Sequence, residues 1–146
     1  GAGDHVVSSR TIYGGTYAFL KNFTPRLNIS TTFVDITKLD VVEAAITKNT
    51  KILYCESVSN PLLEVADIEG LAKLAKKHNL KLVVDNTFSP LSISPAKLGA
   101  DVVIHSLTKF INGSSEGFTN DFSALIGFIG VTITAGILLF EYIWEE

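Results

Sequence analysis

The chain has 146 residues, a formal net charge of -3, 47% hydrophobic residues and only 18% charged residues. That length suits one domain with a real core, and the charge balance removes the electrostatic case for nucleic acid, which needs a clustered basic patch. Charged content below the ~25% of an average domain implies surface made to face other protein, as in a fragment or an oligomer.

Taken in chain order, Gly1-Ala2-Gly3-Asp4-His5 has neither the basic nor the apolar region of a signal peptide. No methionine occurs anywhere, so the expectation is that the true start lies upstream. Residues 5–8 read as a strand, Tyr13-Gly14-Gly15 turns the chain, and 16–23 reads as a helix ending before Pro25. Residues 29–34 are β-rich. Asp35 or Thr37 is placed to cap a helix running to about Ile46, and 51–54 is the next strand. Asp67 caps an amphipathic helix to His78, with Ile68, Leu71, Leu74 and Ala75 at the spacing of one face. Strands over 80–84 and 102–104 follow, with a helical turn at 95–98 between them.

Strands alternating with helices imply right-handed crossovers and a mostly parallel sheet flanked by helices, an α/β fold. Ligands of such sheets sit at the carboxyl ends of strands, where Glu56, Asp85 and Ser106 all fall. From Asn112 the character changes. Gly113 to Gly117 is a loop signal, and 122–140 carries no charge, which is close to the ~20 residues of a membrane-spanning helix. Three readings stand for this stretch: strand and helix of the same core, a tail anchor, or foreign sequence. No Lys or Arg follows Lys109, so the basic flank expected of a membrane anchor is lacking.

Cys55 is the only cysteine, which excludes an intrachain disulfide and fits a reducing, cytoplasmic setting. It reads most simply as a small buried hydrophobe. His105 reads as a satisfied core histidine, and no metal-ligand spacing or dinucleotide glycine fingerprint occurs.

The chemistry gathers around Lys109. It follows an apolar strand and Ser106-Leu107-Thr108, whose hydroxyls are placed to reach a phosphate. A lysine there and an aspartate ending another strand, Asp85, form the pair a pyridoxal phosphate (PLP) enzyme needs. The amine makes a Schiff base with the cofactor aldehyde and the carboxylate keeps the pyridine nitrogen protonated. Against this stand the commoner fates: a solvated lysine and a strand-end turn aspartate. Tyr13 is either an ordinary half-buried aromatic or a ring stacked on the pyridine, with its phenol able to move protons. Asn60 before Pro61 is a turn signal, or an amide bonded to the cofactor's phenolic oxygen.

Six segments occur in order: Gly3-Asp4-His5-Val6-Val7, Ile12-Tyr13-Gly14-Gly15-Thr16, Glu56-Ser57-Val58-Ser59-Asn60-Pro61, Val83-Val84-Asp85-Asn86-Thr87-Phe88, Leu98-Gly99-Ala100-Asp101-Val102-Val103, and His105 through Lys109 to Gly113. Together they resemble the Cys/Met-metabolism PLP enzymes, a family that includes cystathionine γ-synthase, the cystathionine lyases and methionine γ-lyase. Thr31-Thr32-Phe33-Val34-Asp35-Ile36-Thr37 and Ser94 to Asp101 are most similar to the plant-type methionine γ-lyases.

The resemblance implies that residues 1–113 are part of the large PLP-binding domain of fold-type I, aspartate aminotransferase-like enzymes, with 114–146 a divergent apolar segment. It implies Lys109 as Schiff-base lysine, Asp85 as pyridinium partner, Tyr13 as stacking and proton-moving residue, Ser106 and Thr108 as phosphate contacts and Asn60 as cofactor contact. It implies a carbon–sulfur lyase acting on methionine or cystathionine in a homo-oligomer. Where microbial methionine γ-lyases often carry a cysteine two residues after this tyrosine, the chain has Gly15. The family's members are well over twice this length. Their upstream phosphate-binding segment, the tyrosine and arginine lent by a neighbouring subunit, and the C-terminal domain with its carboxylate-binding arginine have no counterpart here. Weak or absent turnover is therefore expected of this chain alone. The other outcomes of the same ancestry are a cystathionine γ-synthase or lyase fragment, a non-catalytic interaction product and a tail-anchored remnant.

Overall fold

The computed structural model describes residues 1–60, 62–109 and 111. Strands β1 (His5–Ser9), β2 (Ser30–Val34), β3 (Thr50–Glu56), β4 (Lys81–Asp85) and β5 (Val102–Ile104) form one sheet in the order β2-β1-β3-β4-β5. Every pairing is parallel. Helices α1 (Gly14–Ala18), α2 (Leu39–Ala44) and α3 (Ile68–Lys77) lie in the crossovers. The described residues form one compact unit, Gly1–Ile111.

Alternation along the strands sorts side chains to two faces. Val7, Leu53, Cys55, Leu82 and Val84 point to the face covered by α2 and α3, where Val42, Ile68, Leu71 and Leu74 complete the larger core. Val6, Ile52, Tyr54 and Val83 point the other way, against Ile12, Tyr17 and Leu20 of the segment that follows β1. Each fully buried Leu contributes about 1.5–3 kcal/mol, so α3 is held chiefly by its apolar stripe. Its start is fixed by the Asp67 carboxylate, which accepts the Gly70 N–H at 2.9 Å, and its last turn carries Lys76 and Lys77 at the negative end of the helix dipole.

The helix expected over 16–23 takes a different form. It starts at Gly14, gives way at Phe19 to one π-helical turn (Phe19–Phe23), and passes into a 3-10 turn (Thr24–Leu27) that contains Pro25. Proline is tolerated there because the first turn of a helix needs no N–H from it. The helix expected from Asp35 or Thr37 to Ile46 is shorter, Leu39–Ala44, and neither residue caps it. Asp35 instead folds back on Thr37, accepting its N–H at 3.2 Å and its hydroxyl at 2.7 Å. This local turn competes with helix initiation.

No helix among the described residues is long and apolar enough to cross a membrane. The segment 122–140, Gly113 and the rest of the C-terminal stretch lie outside the described residues.

Candidate functional site

The sheet order places β1 between β2 and β3, with the chain leaving β1 and β3 toward opposite faces. Such a switch point opens a crevice at the carboxyl ends of the strands. A cleft of about 490 Å³ sits there, lined by Tyr13, Glu56, Asn60, Asp85, Ser106 and Lys109, with Val58, Thr87, Phe88 and Thr108 completing its wall. All six site residues expected from the sequence, Lys109, Tyr13, Asp85, Ser106, Thr108 and Asn60, therefore line one cavity. A groove of about 670 Å³ beside Lys73, Lys76, Lys81 and Lys97 is larger, but it is a solvent-facing surface in which Lys81 is paired with Asp101 at 2.7 Å.

Tyr13 precedes the first turn of α1, anchored by the buried Ile12 before it. Its side chain is 68% exposed, so it is a presented ring rather than a half-buried one. A Cβ at position 15 would lie 2.6 Å from Tyr13 Cε1, so Gly15 is what lets this ring lie over the start of α1. The Tyr13 backbone N–H donates to Glu56 Oε1 at 2.6 Å.

Asp85 ends β4, in register with Glu56 at the end of β3. Its Oδ1 accepts the Thr87 N–H at 2.9 Å, and its Oδ2 has a long bond, 3.5 Å, from the Tyr54 hydroxyl. Burial, and then the Asp85 charge, push the Tyr54 phenol well above its usual range, so Tyr54 stays a neutral donor. Behind this turn Asn86 is 1% exposed and fully engaged. Its Oδ1 accepts from the Ser57 hydroxyl at 2.7 Å and the Ser89 hydroxyl at 3.0 Å, while its Nδ2 donates to the Ile93 carbonyl at 2.9 Å.

Lys109 is exposed, on a turn where its N–H reaches the Ser106 carbonyl at 3.3 Å. The Ser106 and Thr108 hydroxyls lie 3.0 Å apart, which makes them one two-hydroxyl unit beside the amine. Asn60 is exposed on the loop after β3, whose neck is closed by the Val58–Val65 bridge and the Ser59 N–H to the Glu64 carbonyl at 2.9 Å. His105 is not satisfied as expected: its Nδ1 is buried without a partner among the described residues. Cys55 is fully buried, and burial pushes its thiol up to about 12, which makes it inert.

Sequence reasoning gave Glu56 a ligand-facing strand end but no role, and missed Tyr54 and Thr87 as members of the site. Glu56 stood at a strand end in the sequence, but its bond to Tyr13 depends on which strands are neighbours. Burial, and more weakly the Asp85 charge, raise the Glu56 carboxyl above its ordinary value, against the lowering effect of backbone bonds from Tyr13 and Asn60.

Residues 1–120 match the family described as Cys/Met metabolism PLP-dependent enzyme. The chain belongs to that family. The match passes residue 113, the last residue of the motif resemblance. Methionine gamma-lyase of Arabidopsis thaliana is 54% identical over 117 residues, which are 79% of this chain and 26% of that protein. L-methionine gamma-lyase of Fusobacterium nucleatum subsp. polymorphum is 44% identical over 94% of this chain and 37% of its own length. A Campylobacter jejuni structure assigned as an O-acetylhomoserine (thiol)-lyase superposes with a TM-score of 0.73 at 40% identity, over 75% of this chain and 28% of that one. It contains N'-pyridoxyl-lysine-5'-monophosphate. The chain thus spans between 26% and 37% of the length of these relatives.

The family's cofactor is pyridoxal phosphate, and the donor set of the cleft fits it. An exposed ring, a carboxylate oxygen with only one long bond, a paired hydroxyl unit and a primary amine without an ion pair among the described residues face one cavity.

Proposed function

We propose that this chain carries the cofactor-binding part of a PLP-dependent carbon–sulfur lyase of sulfur amino-acid metabolism. The best-supported reaction is that of a methionine γ-lyase, an α,γ-elimination releasing a thiol, 2-oxobutanoate and ammonia. The observation that carries this reading is the convergence of Lys109, Asp85, Tyr13, Ser106, Thr108 and Asn60 on one cleft at the strand ends. Likeness to the plant methionine gamma-lyase supports the choice of substrate.

When bound, pyridoxal phosphate supplies an electron sink for charge developing at the substrate's α-carbon. Lys109 would hold it covalently, and its freed amine would take up the α-proton. The Asp85 carboxylate, ending β4, would keep the ring nitrogen protonated. The Tyr13 ring would stack on the cofactor, and its hydroxyl would give a proton to the leaving thiol. Ser106 and Thr108 would hold the phosphate through their hydroxyls, and the Asn60 amide would bond the phenolic oxygen. Residues 1–113 are read as a partial large domain, the whole protein as a homo-oligomer, and its setting as the cytoplasm, which the lone buried thiol supports.

Turnover by this chain alone is expected to be weak or absent. Lys109 is the one cation among the described cleft residues, beside the carboxyl groups of Glu56 and Asp85. A cofactor phosphate and a substrate carboxylate would enter that cleft against this single positive charge, which the covalent link to the cofactor itself takes up. The same observation supports the second reading, a non-catalytic product of this ancestry. Mixing the chain with pyridoxal phosphate and reading its visible absorbance tests cofactor binding: a new band, lost in Lys109→Ala, supports it, and no band refutes it. Measurable 2-oxobutanoate from methionine would overturn the expectation of weak turnover.

A further inference from the structure

We infer that Glu56 is a positioning residue that holds the Tyr13 strap to the end of β3 at the mouth of the cleft, and releases it when it is protonated. The inference rests on the reading of the cleft given above, but the clamp itself is a property of the chain's own residues. Glu56 Oε1 accepts the Tyr13 N–H at 2.6 Å. Tyr13 follows β1 and Glu56 ends β3, so one side chain ties the two strand ends at which the chain diverges. It is the only side chain among the described residues to bond the Tyr13 backbone, because α1 has no side-chain cap of its own.

The bonds to a carboxylate are charge-assisted and roughly twice as strong as those to a neutral acceptor. Protonation of Glu56 removes that assistance from the Tyr13 bond. The groups facing Glu56 set where this happens. Asp85 on β4 is its register partner, Tyr54 lies two residues back on β3, and Tyr13 and Lys109 line the same cleft, from the segment after β1 and the loop after β5. Cys55 points to the opposite face, into the larger core. Burial and the Asp85 charge both favour the protonated form, so the release falls above the ordinary glutamate range.

The test is a pH titration of the 146-residue chain by ¹H–¹⁵N NMR, without cofactor. The Tyr13 amide proton is expected to move upfield on acidification, with a midpoint above that of an exposed glutamate. The ¹³C resonance of the Glu56 carboxyl should share it, a readout that needs no variant. In Glu56→Gln, which keeps an acceptor and loses the charge, the shared transition should vanish. Its cofactor affinity should fall by about tenfold, the equivalent of about 1.4 kcal/mol. A Tyr13 midpoint separate from that of the Glu56 carboxyl, no titration at the Tyr13 amide, or a transition that persists in Glu56→Gln would overturn the clamp. Cofactor binding is not needed for the amide readout, so a chain that fails to take up pyridoxal phosphate leaves this result standing on its own.

Discussion

The Thr87 hydroxyl accepts the backbone N–H of Ser106 at 2.8 Å, and through this bond the loop carrying Lys109 is tied to the turn carrying Asp85. A second tie, Asn86 N–H to the Ile104 carbonyl at 2.8 Å, runs parallel to it. The distance between an amine and a carboxylate on separate loops is thus fixed by two bonds near the sheet, not by contact between the two side chains.

Thr87→Val removes the acceptor while keeping the shape. The expected cost is about 1 kcal/mol, read by urea denaturation, with faster hydrogen exchange at the Ser106 amide than in the wild type. Unchanged exchange at that amide would mean that the tie is not what holds the loop.

Asn86→Ala empties the buried junction behind Asp85. It takes the acceptor from the buried Ser57 and Ser89 hydroxyls, which keep their bond to each other at 2.9 Å, and the donor from the part-buried Ile93 carbonyl. A loss of roughly 2–4 kcal/mol is expected, larger than for Thr87→Val, because Asn86 is buried and Thr87 is partly open. Equilibrium denaturation of the two variants side by side checks the order.

Gly15→Ala drives a methyl group into the Tyr13 ring, where the contact would be 2.6 Å. The ring must rotate away from α1. Ring resonances of Tyr13 should shift while those of Tyr54, buried in the sheet, stay in place. Coincident Tyr13 spectra for the two proteins would contradict the packing.

His5 gives the pH dependence of the fold. It bridges β2 and β3, with Nδ1 2.8 Å from the Thr50 hydroxyl and Nε2 2.9 Å from the Thr32 hydroxyl, and burial lowers its folded value below 6.5. The unfolded chain therefore binds its proton first on acidification. Its contribution is present above 6.5 and is lost as pH falls from there through the folded value. Glu56 acts with the opposite sign: its raised folded value makes the native state the better proton binder, so its effect favours the fold as pH drops. Stability from denaturant titrations near neutrality and at mildly acid pH should fall less steeply in His5→Gln than in the wild type.

The sequence made parts of this legible and left others hidden, for physical reasons. Asp67 and the Ile68, Leu71, Leu74 spacing declare α3 because capping and periodicity are local. The strand at 102–104 and the ends at Glu56 and Asp85 were legible for the same reason. Asp35 misled because an aspartate can cap a helix or close a turn on Thr37, and nearby sequence does not choose. Tyr54 and Thr87 stayed hidden because their work is done across strands: Tyr54 reaches Asp85 only once β3 lies beside β4, and Thr87 meets Ser106 only once β4 lies beside β5. The motifs named the cleft; the register supplied the residues that hold it.

The central claim is that Lys109 is the group that holds pyridoxal phosphate. Incubating the chain with the cofactor, reducing with borohydride and mapping peptides by mass spectrometry measures this directly. The account predicts the reduced pyridoxyl mass on the peptide containing Lys109, at near-stoichiometric yield, with none in Lys109→Ala. The label scattered over exposed lysines such as Lys73 and Lys97, or undiminished in Lys109→Ala, would contradict it.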